Sequence, residues 1–93
     1  MVAPATQQEA IQQFIDLANE MKNDGVAIEV VSSALMRACA VYATYVVTGN
    51  DGALHQSGVE KLQKIFGEQV QTVQRAKMER AGVKPPDSEQ EPV

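Results

Sequence analysis

The stretch of nineteen residues from Val30 to Thr48 contains a single charged side chain, that of Arg37. A helix on the surface of a soluble protein normally carries charged residues on the side that faces water. This stretch is too apolar for that arrangement. We therefore expect it to be covered by the rest of the chain, by a second copy or by a partner.

The composition limits the number of domains and the class of partner. Ninety-three residues with 44% hydrophobic content suit one small domain, whose stability margin is thin unless it oligomerises. The net charge is −4, and residues 84–93, with one Lys and three acids, account for −2 of it. The remaining seven basic and nine acidic residues form no basic stripe for phosphates, so we expect no nucleic-acid partner.

The sequence favours a cytoplasmic protein without a membrane span. The single cysteine, Cys39, cannot form an internal disulfide, which fits a reducing compartment, and the first residues lack the pattern of a secretory signal. Although nineteen residues come near the length that crosses a bilayer, Arg37 would lie near mid-depth, at a cost of about 2.5 to 3.5 kcal/mol. Flanking basic anchors and aromatic belts are missing as well.

Three segments with helical periodicity predict an all-α fold, with helices over about 6–23, 27–48 and 57–81. The first begins with a capping box of Thr6 and Glu9 and ends at an Asn-Asp-Gly run. The second stops at the turn cluster 49–52, and the third starts at a similar box of Ser57 and Glu60, although residues 53–56 could extend it backwards.

These helices are expected to form a small bundle around the second helix, as a single domain over residues 1–82. Gly82 suits the end of the third helix. Residues 83–93 contain two consecutive prolines and an acidic run, so we predict a disordered acidic and Pro-rich tail there.

The second helix has two apolar sides when it is projected at 100° per residue. One is a stripe of larger residues that we assign to the core of the chain: Ile28, Val31, Leu35, Cys39, Tyr42 and Val46. The other side carries Arg37 among small or apolar residues and still needs a cover. We predict a homodimer interface on that side, formed by Ser33, Arg37, Ala40, Val41 and Thr44.

Individual residues give no catalytic, metal or cofactor site. Arg37 could hold an anionic ligand or a partner carboxylate, or it could extend to water or pair locally with Glu29. Cys39 is interpreted as a packing residue and His55 as a solvated loop residue. Neither Glu-x-x-His spacing, nor a calcium loop, nor a phosphate-binding loop occurs.

Two runs, F-I-D-L-A-N-E at 14–20 and V-S-S-A-L-M-R-A-C-A-V-Y at 31–42, resemble DUF3144, a family of small bacterial helical proteins catalogued as a domain of unknown function. The resemblance covers about the first half of the chain and weakens after Gly49. It implies a compact helical bacterial protein, and it supplies no functional residues and no catalytic activity.

Taken together, these patterns predict a small, non-catalytic, homodimeric module for protein interaction or regulation, with itself and another protein as possible partners. The alternative is a small-molecule binder, in which Arg37 would gate an apolar pocket between helices for an anionic ligand such as a fatty acid. An enzyme ranks third, because no acid, base and nucleophile can be named together.

Overall fold

A computed structural model describes residues 2–50 and 52–82. Within these ranges the chain forms three α-helices and no strand: α1 (Gln7–Asn23), α2 (Ile28–Thr48) and α3 (Gln56–Arg80). The predicted all-α class and the three predicted helices are confirmed, and each helix boundary falls within one residue of its expected position. The predicted tail over 83–93 lies outside the described residues.

The helices belong to two units of the chain. Unit 1, Met1–Asp51, contains α1 and α2, which contact each other, and unit 2, Gly52–Val93, contains α3. Each unit is described by itself below. The single domain over residues 1–82 and the bundle of three helices therefore stay predictions.

The start of α1 is fixed by local hydrogen bonds. The Glu9 backbone N–H donates to the Thr6 side-chain hydroxyl at 3.1 Å, as the predicted capping box requires. The Glu9 carboxylate, however, accepts from the backbone N–H of Ala5 at 2.7 Å rather than from that of Thr6. The hydroxyl half of the box is thus formed, and the carboxylate half is displaced by one residue.

The end of α1 is a Schellman turn. The Val26 N–H donates to the Met21 carbonyl and the Gly25 N–H to the Lys22 carbonyl, both at 3.0 Å. Gly25 has a φ of 102°, a left-handed conformation that a residue without a Cβ adopts at little cost. The turn closes within a few residues, so α2 starts at Ile28, directly after its N-cap Ala27.

Burial within unit 1 is much lower than the sequence pattern predicts. Val31, with 8% of its surface exposed, is the one buried residue among those that the structure describes. The predicted core stripe is otherwise wrong, since its remaining members are exposed: Ile28, Leu35, Cys39, Tyr42 (72%) and Val46 (63%). Two helices share only one line of contact, and full burial needs further elements on the remaining sides.

In unit 2, α3 starts one residue earlier than the predicted Ser57. Its N-cap is His55, whose side chain makes no capping hydrogen bond, so the predicted box of Ser57 and Glu60 does not set the boundary. Leu54 and Val59 are both half-buried and occupy the two positions of a hydrophobic staple. The helix thus begins between two half-buried apolar residues in staple positions rather than at the expected polar cap.

Two glycines inside α3 differ in the space around them. A Cβ built on Gly67 meets no atom within 4 Å, whereas one on Gly58 lies 3.1 Å from Leu54 Cδ2. We expect Gly67→Ala to stabilise α3 by about 0.5–1 kcal/mol, because alanine has the higher helix propensity. Gly58→Ala should gain less, since Leu54 must move. Thermal unfolding followed by circular dichroism measures both, and an equal gain would contradict the role of Leu54.

Candidate interaction surface on the second helix

A groove runs along the side of α2 that carries its two charges. It is a surface depression that is open to solvent rather than an enclosed cavity. The residues that line it all belong to α2 and include Glu29, Ser32, Ser33, Met36, Arg37 and Ala40. We call this feature the α2 groove. It brings together three of the five residues that the sequence predicted for the interface, Ser33, Arg37 and Ala40.

The other two predicted interface residues lie outside the lining of the α2 groove. Val41 is 64% exposed and stands at its border by helical position. Thr44 is half-buried, and its carbonyl accepts a hydrogen bond from the Thr48 hydroxyl at 3.0 Å. The interface predicted from sequence therefore continues along α2 beyond the groove.

The charges in the α2 groove lack ion-pair partners. Arg37 is exposed and forms no ion pair or hydrogen bond with any residue in 2–50 or 52–82, and Glu29, also exposed, likewise has no side-chain partner there. The local pair between them that the sequence allowed is not formed. Each copy thus presents one unpaired acid and one unpaired base on one side of a mostly apolar helix.

Glu29 and Met36 belong to this surface although the sequence analysis did not include them in the interface. Glu29 was considered only as a local partner of Arg37. Its spacing could have assigned it to the same side of α2 as Ser33 and Arg37. Residues 29, 33 and 37 follow one another at intervals of four and therefore occupy one row on a helix. Met36 follows Ser33 by three residues and therefore lies beside this row.

Cys39 is exposed, so its predicted role as a packed core residue is wrong. It does not line the α2 groove, although it lies three residues after Met36 and seven after Ser32, which do. Tyr42 and Val46 on the same stripe are exposed as well, so burial along the stripe is limited to Val31. The thiol is therefore open to alkylating reagents in the isolated chain.

The remaining polar candidates behave as surface residues. Asp16 accepts a hydrogen bond from the Gln12 side-chain amide at 2.8 Å, one turn away on α1. His55 is exposed at the start of α3. A search of residues 2–50 and 52–82 finds no group of three or more His, Cys, Asp or Glu placed to hold a metal ion.

By length and composition, α2 could also cross a membrane. Its 21 residues include a window with a mean hydropathy of 1.5, and only 6% of that window is buried. It is the one helix in the described part of the chain that meets this test. The test by itself is weak, and Arg37 is the tenth residue of the helix, close to its middle.

One protein-family model matches most of the chain. A model described as "Protein of unknown function (DUF3144)" matches residues 7–80, from the first residue of α1 to the last residue of α3. The resemblance inferred for the first half of the sequence is thereby confirmed and extends through the third helix. Comparisons with curated proteins and with solved structures find no match.

Proposed function

The chain belongs to the DUF3144 family, whose function is not known, and we propose that it is a non-catalytic module that binds a second copy of itself through α2. The observation that carries the proposal is the exposure of α2, whose one buried residue is Val31. Soluble monomers rarely expose contiguous apolar patches larger than a few hundred Å². Self-association in the cytoplasm removes such a patch from water.

The side of α2 that meets the second copy is the side of the α2 groove. At 100° per residue, Val31 lies about 160° around the helix from Ser33 and about 120° from Arg37. Val31 is the one buried residue of α2, and the residues on the groove side are exposed, which leaves them accessible to a partner. Its small residues, Ser33 and Ala40, let two helices approach closely.

Association in water explains the two charges of α2 better than insertion into a bilayer does. In a bilayer Arg37 would lie near mid-depth without a partner, at about 2.5–3.5 kcal/mol on insertion scales. Between two copies, the same side chain keeps access to water at the rim of a helix pair. The module therefore acts in solution, with a regulatory or interaction role.

Sedimentation velocity at micromolar concentrations tests the proposal. We expect the mass to rise from 10.1 kDa toward twice that value as the protein concentration increases. Native mass spectrometry of the protein purified from cells serves as the second measurement. A clean monomer that does not bind dyes for exposed apolar surface would contradict self-association, and a retained small ligand would favour a binder with a pocket instead.

A further inference from the structure

We propose that two copies associate with their α2 helices antiparallel and crossing at Ser33, so that Arg37 of each copy pairs with Glu29 of the other. The inference rests on the proposed self-association and specifies its geometry. It starts from the two charged residues of α2, which has no others along its 21 residues. Both line the α2 groove, and neither has an ion-pair partner within residues 2–50 or 52–82.

Glu29, Ser33 and Arg37 form one row at intervals of four residues. Such rows are the ridges that pack against each other in the commonest class of helix packing, at a crossing angle of about −50°. Reversing the direction of a second helix about Ser33 exchanges positions 29 and 37. Glu29 of each copy then lies opposite Arg37 of the other copy. Each of these two pairs is about 6 Å along the helices from the crossing point.

Other registers leave the charges unmatched. A parallel pair places Arg37 against Arg37 and Glu29 against Glu29. An antiparallel pair that overlaps along the full length of α2 has its centre at Ala38, which puts the two Arg37 side chains side by side. Like charges held close together repel each other, whereas the crossing at Ser33 places each base beside an acid. Charge complementarity therefore selects the crossing at Ser33.

The size of the residue at the crossing point agrees with this register. Ser33 faces Ser33 of the second copy, and a small side chain at that position allows the short end of the 8–10 Å range of helix separations. The guanidinium of Arg37 and the carboxylate of Glu29 lie at the edges of the contact. Both reach solvent there, which limits their desolvation.

Charge reversal tests the register, with the dimer dissociation constant from sedimentation as the readout. Glu29→Arg and Arg37→Glu each turn two attractive contacts into two repulsive ones, so each should raise the dissociation constant by about 10- to 100-fold. The double variant E29R/R37E restores both contacts and should return to within about threefold of the wild type. Circular dichroism verifies that each variant keeps its helices.

Cysteine cross-linking in a Cys39→Ala background gives a second readout that depends only on geometry. Ser33→Cys should form an intermolecular disulfide, because the two positions face each other at the crossing. Ala40→Cys is the matched control, since its two copies would lie about 20 Å apart along the helix direction. Cross-linking at both positions would overturn the antiparallel register.

The outcomes separate this inference from the proposed function. If the wild-type protein and the single charge variants dimerise equally well, the proposed self-association stands and the proposed register is overturned. A wild-type protein that is a monomer at all concentrations overturns both. Dimerisation that the single variants weaken and the double variant restores supports both.

Discussion

Val31→Asp is expected to separate α1 from α2 and to lower the free energy of unfolding by about 3 kcal/mol or more. Val31 is the one buried side chain in the described part of the chain, at 8% exposure. A carboxylate there would lose the apolar contact and would lie in a site without a described partner. Urea unfolding followed by circular dichroism, at one protein concentration throughout, measures the loss.

The matched control for this prediction is Val46→Asp, the same substitution on the same helix. Val46 is 63% exposed, so the new carboxylate stays in water. Its effect should be limited to the unfavourable interaction of an acid near the end of a helix, about 0.3–1 kcal/mol. If the two variants lose the same stability, the contact around Val31 does not hold α1 against α2.

Ser33→Lys is expected to dissociate the dimer while leaving the monomer folded. In a single helix the new lysine lies four residues after Glu29 and four before Arg37, so its attraction to the acid and its repulsion from the base, each about 0.2–0.5 kcal/mol, offset each other. Across the crossing point, however, two lysines would face each other beside Arg37. At about 5 Å and an effective dielectric constant of 20 this repulsion is about 3 kcal/mol, or on the order of 100-fold in dissociation constant.

Cys39→Lys is the control for Ser33→Lys. It adds the same charge to α2 at an exposed position outside the groove lining, about 120° around the helix from Ser33. We expect its dissociation constant, measured by sedimentation equilibrium, to remain within about threefold of the wild type. Equal dissociation by the two variants would show that overall charge, rather than the groove side of α2, controls assembly.

The positions of the helices could be predicted because their signals are local. Thr6 and Gly25 act through hydrogen bonds that span a few residues, so they can be recognised without any knowledge of the rest of the fold. The start of α3 was harder to predict, because the local sequence contains both a polar capping signal and an apolar one. The polar box at Ser57 was expected, and the apolar staple of Leu54 and Val59 coincides with the observed boundary instead.

The candidate surface could be predicted in part for the same reason. Residues spaced by three or four share one side of a helix, so Ser33, Arg37 and Ala40 were expected together, and all three line the α2 groove. Glu29 was missed because it was considered only as an intrahelical partner of Arg37. Whether two side chains on one helix actually pair depends on their conformations, which spacing alone does not determine.

The sequence by itself determined three helices, their caps and the apolar character of α2, since each follows from interactions within about four residues. Only the tertiary structure decided which apolar residues of α2 are covered, because burial requires side chains from another element. The sequence pattern assigned Val31 and Tyr42 to the same stripe, yet the first is 8% exposed and the second 72% exposed.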